Sequence, residues 1–429
     1  MVPSHIQQLI SNLHFYLVSA FSVFCLCPVS AQSDTAPNII LIMADDLGYA
    51  GIGCYGNQTI STPHLDKLAA SGLLFTDFHS NGAVCTPTRA ALLTGRYQQR
   101  AGLEGVIYAK GPTRSTGLDP SEITIAQLLK SSGYATGIFG KWHLGYEKKF
   151  NPTYYGFDEF YGYVSGNIDF HTHYDGAGIY DWWHNKDTIR ERGYVTDLIT
   201  KYSVEFIQDH RDRPFFLYIP HEAPHVPFQG RDDPGYRYPN IQFSYHGPVK
   251  DTVRAYREMI EVMDEGIGQI VATLKDLNLE ENTIIIFISD NGAESFGHNG
   301  HLNGAKGSLL EGGHRVPAIV SWKGKISPGI SDATTMSFDW LPTILSLSGT
   351  SIPADRQLDG INLRDHLINR SPVMERDLFW RYRKQSAVRR NSYKLLINDG
   401  DTLLFNLKND PSERHNLSGV QPAITTALM

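Results

Sequence analysis

A chain of 429 residues with 41% hydrophobic content has room for one large α/β domain with an appendage, or for two to three smaller domains. Its formal charge of -7, without a basic tail or polybasic run, argues against a general nucleic-acid binder, so no nucleic-acid partner is expected.

The apolar stretch from Phe15 to Pro28, closed by Val29-Ser30-Ala31, reads as a signal peptide over residues 1–31, with small residues where a signal peptidase cuts. Its leading segment offers His5 but no Lys or Arg, which leaves an uncleaved anchor as the alternative, although the run is short for a membrane span. Export to a periplasmic, extracellular or lumenal compartment is expected, with no stable membrane span after cleavage. Cleavage removes Cys25 and Cys27 and leaves Cys54 and Cys85, so no disulfide framework is expected. Cys54, in Gly53-Cys54-Tyr55-Gly56, reads as a packed small residue near a turn.

Asn38-Ile39-Ile40-Leu41-Ile42-Met43 is a continuous apolar run, the pattern of a strand buried on both faces, and it leads into Ala44-Asp45-Asp46. A helical pattern follows from Pro63 to Ser71. Next comes Cys85-Thr86-Pro87-Thr88-Arg89, continued by Ala90-Ala91-Leu92-Leu93-Thr94-Gly95-Arg96. Pro87 suits the first turn of a helix, so Cys85 is expected just ahead of an N-terminus whose free N–H groups and positive dipole end favour an oxyanion, with Arg89 as a cation nearby. The alternative is a buried structural thiol.

The segment resembles the sulfatase signature, Cys-x-Pro-x-Arg followed by Leu-Thr-Gly. That resemblance implies that Cys85 is oxidised after translation to a formylglycine aldehyde by a formylglycine-generating maturation enzyme. Thr88 stands where many members carry serine, with hydroxyl and β-carbon retained. Local likeness in Arg96-Tyr97-Gln98-Gln99-Arg100-Ala101-Gly102-Leu103 and Gly156-Phe157-Asp158 resembles sulfatases that act on N-acetylgalactosamine sulfate.

A second helical pattern, Ile123 to Ser131, precedes a strand pattern, Ala135 to Phe139, and then Gly140-Lys141-Trp142-His143-Leu144-Gly145. Lys141 and His143 point the same way only on extended backbone, and a surface turn is the bland reading. The segment reproduces the sulfatase Gly-Lys-Trp-His-Leu-Gly motif, which implies that Lys141 grips sulfate and His143 contacts the aldehyde hydrate. From Tyr154 to Lys186 the chain is rich in Tyr, Gly, His and Trp without helical period and reads as a functional loop or insert. Its Tyr161, Phe170, His171, His173, Tyr174, Trp182, Trp183 and His184 suit the apolar faces of sugars, with His173 and Trp182 as candidate substrate contacts. Packing of the insert onto the sheet is the alternative.

Thr196 to His210 is helical, and the strand pattern Phe215 to Ile219 runs into Pro220-His221-Glu222-Ala223-Pro224-His225-Val226-Pro227. The sulfatase pattern here, Ala-Pro-His-x-Pro after a strand, implies that His225 is catalytic and His221 structural or peripheral. Gln229 to Gly247 reads as a second long loop, and Lys250 to Leu277 as a long helix. The apolar run Thr283 to Ser289 leads into Asp290-Asn291-Gly292. Two buried strands thus end in acidic pairs, and in open parallel sheets the ligand crevice lies beyond the carboxyl ends of strands.

Asp45, Asp46, Asp290 and Asn291 form an oxygen-only donor set that points to calcium, with magnesium or manganese as alternatives; either pair alone could be an ordinary cap or turn. By resemblance, these four side chains and modified Cys85 ring the cation that binds a sulfate oxygen. Gly304 to Pro317 is close to the sulfatase Lys-Gly-x-x-x-Glu-Gly-Gly-x-Arg-Val-Pro, which makes Lys306 the second sulfate cation, with Glu311 and Arg315 fixing the loop.

Beyond Arg370 four short strand patterns, Asp377 to Arg381, Gln385 to Arg389, Tyr393 to Ile397 and Thr402 to Leu407, predict a small antiparallel subdomain over 370–429, after a catalytic domain over 32–369. The alternation of strand and helix predicts an α/β fold with a mostly parallel central sheet flanked by helices, and the resemblance, which spans Asn38 to about Leu417, implies the alkaline-phosphatase-like version. The expected function is hydrolysis of sulfate monoesters on a sulfated carbohydrate, a glycosaminoglycan or algal-type glycan. The competing readings are a phosphomonoesterase, phosphodiesterase or phosphonate hydrolase of the same superfamily, and a catalytically silent protein that binds sulfated glycans.

Overall fold

Ile39, Leu41 and Met43 enter one hydrophobic cluster, and Ile40, Ile42 and Ala44 enter another. The strand they form, Asn38–Ala44, is therefore buried on both faces, as a continuous apolar run requires. The structure is a computed structural model and describes residues 36–294 and 296–429. The signal-peptide reading over 1–31, with Cys25 and Cys27, lies outside the described residues.

Asn38–Ala44 sits in the middle of a ten-stranded sheet. It pairs in parallel with Thr283–Ser289 on one side and Phe215–Pro220 on the other. Ala135–Lys141 and then Glu159–Tyr163 extend the parallel region outward. On the opposite flank Ala318–Trp322 runs antiparallel to both Thr283–Ser289 and Leu73–Phe75. Glu159–Tyr163 and the short strand Trp183–His184 lie inside the segment expected to be loop. Gly162 interrupts the first and the second is only two residues long, which hides the period-two signal of a strand.

Helices cover both faces, as the alternation predicts. Pro63–Ala70, Val195–Asp209 and Thr252–Asp276 bury Leu65, Phe206 and Ile260 on one side. Cys85–Thr94, Ile125–Ser131 and Trp340–Ser348 bury Leu92, Leu129 and Ile344 on the other. Two starts follow from local chemistry. Thr124 and Gln127 form a reciprocal capping box, and the Asp251 side chain accepts from the Arg254 N–H.

The C-terminal strands, Asp377–Tyr382, Gln385–Arg390, Tyr393–Asn398 and Asp401–Asn406, form an antiparallel meander. Its apolar face, Leu378, Trp380, Tyr382, Ala387 and Leu396, packs on Ala83, Val84 and Ala91, at the start of the Cys85–Thr94 helix. Residues 36–429 hold together as one compact unit.

Candidate active site

The pairing register builds the acidic centre. Ala44 lies opposite Ser289, so the next residues, Asp45 and Asp290, leave two adjacent strand tips side by side. Met43 lies opposite Pro220, which brings the segment carrying His221 and His225 to the same edge. At Asp46 the chain turns with φ +65°, a left-handed conformation uncommon outside glycine, and the Asp46 N–H donates to Asp290 Oδ1 at 3.2 Å.

Cys85 is the first residue of its helix, one position further in than expected, with Val84 as the N-cap. Gly95 closes the helix at φ +66° and donates to the Ala91 carbonyl, which explains the glycine of the Leu-Thr-Gly triplet. Arg89, one turn along from Cys85, donates to Asp290 Oδ2 through Nη2 at 2.8 Å and to the Lys141 carbonyl through Nη1 at 3.2 Å. Lys141, the last residue of Ala135–Lys141, donates to Asp45 Oδ2 at 2.5 Å. Lys306 donates to Asp46 Oδ2 at 2.7 Å, and His225 Nε2 lies 3.7 Å from the same oxygen.

His143 is not on extended backbone; its φ is +55°. The sheet-like alternation assumed for Lys141 and His143 stops at Lys141, and the turn redirects the imidazole. His143 Nε2 lies 2.8 Å from the Ile107 carbonyl, an acceptor only, so Nε2 carries the proton and the buried, unpartnered Nδ1 holds the lone pair. The same argument protonates His225 at Nδ1, 2.6 Å from the Val226 carbonyl, and leaves Nε2 free. Burial, followed by Lys141, holds His143 well below its usual range; burial, followed by Lys306 and Lys141, does the same for His225.

The donor set fits a hard cation. Asp45 Oδ1 and Asn291 Oδ1 are buried and accept no hydrogen bond. Asn291 spends its Nδ2 on Asp46 Oδ1 at 2.7 Å and on the Gly292 carbonyl, which orients its bare oxygen as a ligand. Burial, partly offset by Lys306, pushes Asp46 up to about 7, and burial followed by the Asp45 charge pushes Asp290 up to about 6. Crowded buried carboxylates of this kind are relieved by a positive ion. Cys85 Sγ clusters with oxygens of Asp45 and Asp290 within 4.8 Å of one another, and burial raises its thiol. A second cluster, His79, Glu311 and His314, is already served by an ammonium: Lys394 Nζ lies 2.9 Å from Glu311 and 3.1 Å from His314 Nε2.

Above this floor opens a cavity of about 720 Å³ lined by Cys85, His143, His225 and Lys306. Asp45, Arg89, Lys141 and Asp290 have no exposure and lie beneath it. His173 and Trp182 are corrected here: neither lines the cavity, and both are wholly buried. His173 Nε2 bonds the Gly193 carbonyl at 3.0 Å, Trp182 Nε1 donates to Glu191, and the two rings pack 5.0 Å apart. Tyr161 likewise stacks on Tyr202 at 3.7 Å, so these aromatics anchor the insert. His221, expected to be structural or peripheral, has no exposure and does not line the cavity.

The cavity walls come instead from Tyr108, Tyr146, Asn167, Arg237, Tyr245 and the hairpin turn Tyr382-Arg383. Arg237 and Tyr245 belong to the Gln229 to Gly247 loop, which its composition marks as functional. Tyr382 and Arg383 carry no local signal, because only the docking of the C-terminal sheet brings them there.

Comparison with known proteins agrees with this geometry. The sulfatase family profile matches residues 37–350. Arylsulfatase A of Bos taurus is 35% identical over 89% of this chain and 83% of its own length. N-acetylgalactosamine-6-sulfatase of Homo sapiens is 35% identical over 80% of this chain and 68% of its own. The crystal structure of Ps i-CgsB, 34% identical, superposes with a TM-score of 0.83 and covers 92% of this chain and 91% of that one; it is also known in complex with k-i-k-neocarrahexaose. Identity of this extent to named sulfatases favours the sulfatase reading over the phosphatase one. The chain belongs to the sulfatase family, whose reaction is the hydrolysis of sulfate esters.

Proposed function

We propose that this sulfatase acts on a sulfated carbohydrate, with Cys85 oxidised to formylglycine and one divalent cation, calcium first, held by Asp45, Asp46, Asp290, Asn291 and residue 85. The observation that carries the reading is the clustering of Cys85 Sγ with oxygens of Asp45 and Asp290 at the floor of an open cavity, in a donor set where Asp45 Oδ1 and Asn291 Oδ1 are buried and bare. Carbohydrate is supported by the oligosaccharide complex of Ps i-CgsB and by relatives named for N-acetylgalactosamine 6-sulfate.

A sulfate monoester resists hydrolysis because its oxygens repel a nucleophile and an alkoxide leaves poorly. The cation would supply charge neutralisation at a sulfate oxygen. The hydrated aldehyde would supply two hydroxyls on one carbon, one to attack sulfur and one through which sulfate is later expelled. Lys141 and Lys306 bind the remaining sulfate oxygens, and Arg89 orients residue 85 and the carboxylates around it. His143, with its free Nδ1, is the base that takes the second hydroxyl's proton. Lys306, an ammonium at Asp46 Oδ2, can donate to the leaving oxygen as it stands, and His225, whose Nε2 faces the same oxygen, donates there once the negative charge of a bound sulfate ester has favoured its doubly protonated form.

Export directed by residues 1–31 and the division into a catalytic part, 32–369, and a C-terminal part, 370–429, belong to the same reading. Mass spectrometry of the peptide containing residue 85, with sulfate release from a panel of sulfated sugars and matching phosphate esters, tests it. Conversion of Cys85 and loss of turnover in Cys85→Ser are expected. A preference for phosphate, or full turnover in Cys85→Ser, overturns it.

A further inference from the structure

Five lysine or arginine residues are buried among the described residues: Arg89, Lys141, Arg237, Arg389 and Lys394. Four of them pair with carboxylates, Arg89 with Asp290, Lys141 with Asp45, Arg389 with Asp77 and Lys394 with Glu311. Arg237, 2% exposed, is the exception. Its Nε donates to the Tyr236 hydroxyl at 3.3 Å and its Nη1 to Asn167 Oδ1 at 2.8 Å, both neutral groups. Its guanidinium lies 5.1 Å from the centre of the Phe243 ring. Nη2 donates to no protein acceptor among the described residues. The nearby Glu222 carboxylate forms no ion pair with it and instead accepts from the Ile168 N–H at 2.8 Å.

A buried cation without an anion is unfavourable unless a ligand brings one. Arg237 lines the cavity that contains Cys85. The other charged side chains of the upper wall are Lys110 and Arg383, both cationic, while Glu294, the one acidic lining residue, already pairs with Lys306 at 3.3 Å. The wall is thus positive on a chain of net charge -7.

We propose that Arg237 is a specificity-determining residue that binds a second anionic substituent of the glycan, a sulfate or carboxylate other than the one being hydrolysed. The proposal rests on the sulfated-carbohydrate reading and narrows it to multiply charged glycans. Arginine suits this task because its planar fork offers two parallel N–H groups to either anion.

The test compares wild type, Arg237→Gln and Arg237→Lys on 4-nitrophenyl sulfate, a monosulfated neutral disaccharide, a disulfated disaccharide and a monosulfated disaccharide carrying a uronate. Arg237→Gln is expected to raise KM about ten- to hundredfold on the disulfated or the uronate substrate, whichever is the natural type. Turnover of the two singly charged substrates should stay within about twofold. Arg237→Lys keeps the charge, loses the fork and should lose severalfold on the same substrate, which covers a glutamine variant that fails to fold. Equal losses on 4-nitrophenyl sulfate would assign Arg237 to the scissile sulfate or to folding and overturn the proposal, as would no loss on either dianionic substrate. Calorimetric titration of the same disaccharides into Cys85→Ser chains, with and without Arg237→Gln, reads the second anion without turnover, and unchanged affinity overturns the proposal there too. A wild type inert on every ester overturns the parent reading instead.

Discussion

Lys394 Nζ donates to Glu311 Oε1 at 2.9 Å, joining the C-terminal sheet to the loop that carries Lys306, and both side chains have no exposure. Glu413 faces the same ammonium at 2.9 Å. Burial alone would push Glu311 up, but Lys394, with His79, His314 and Arg389 behind it, outweighs burial and holds the carboxyl well below its usual range. Truncation would leave two buried acids facing a hole. Lys394→Met should cost about 3–5 kcal/mol in urea unfolding. A loss below about 1 kcal/mol would mean the contact is incidental.

The same loop makes a second, steric prediction. A Cβ on Gly313 would collide with the Ser308 carbonyl oxygen and press on that of Ala305, in the segment that presents Lys306. Gly313→Ala should therefore cut kcat/KM at least tenfold by displacing Lys306, even where the variant stays folded by circular dichroism. Wild-type kinetics in a folded variant would show that the segment yields without moving the lysine.

His221 predicts an acid limb of stability. Burial pushes its imidazole down to about 3, and neither ring nitrogen has a protein partner among the described residues. In the unfolded chain a histidine protonates below about pH 6.5. Between these values the unfolded state binds the extra proton, so stability falls as pH falls, by about 1.4 kcal/mol per pH unit from this residue. His221→Gln should flatten the plot of unfolding free energy against pH between about 4 and 6 by that slope. Parallel plots for the two proteins would remove His221 as the cause.

Calcium should stabilise the folded chain. At a free concentration about 100 times its dissociation constant, a ligand that binds only the native state adds about 2.7 kcal/mol. A rise in Tm on adding calcium, reversed by a chelator and reduced in Asn291→Ala, is expected. An equal rise in that variant would move the ion elsewhere.

Much of the centre was legible in the chain because its parts are local. Asp45 and Asp290 each follow a run of buried apolar residues, and the lengths of Asn38–Ala44 and Thr283–Ser289 are set by those runs. Cys85 and Arg89 fall on one helix, closed by Gly95, whose start and stop are written in proline and glycine. His143 was harder, because its position depends on a left-handed turn after Lys141 that no letter announces. His173 and Trp182 misled for the reason that aromatic rings serve a core and a sugar equally well.

Periodicity alone therefore pointed to the doubly covered sheet and the acidic strand tips, and the proline and glycine spacing to Cys85 at a helix start, since each is a property of a few consecutive residues. The pairing of Ala44 with Ser289, the bare oxygens of Asp45 and Asn291, the unpaired Arg237 and the Tyr382-Arg383 wall were decided only on folding. Register, burial and counterion pairing are relations between segments hundreds of residues apart, and a local pattern holds no record of which surfaces will close over a charge.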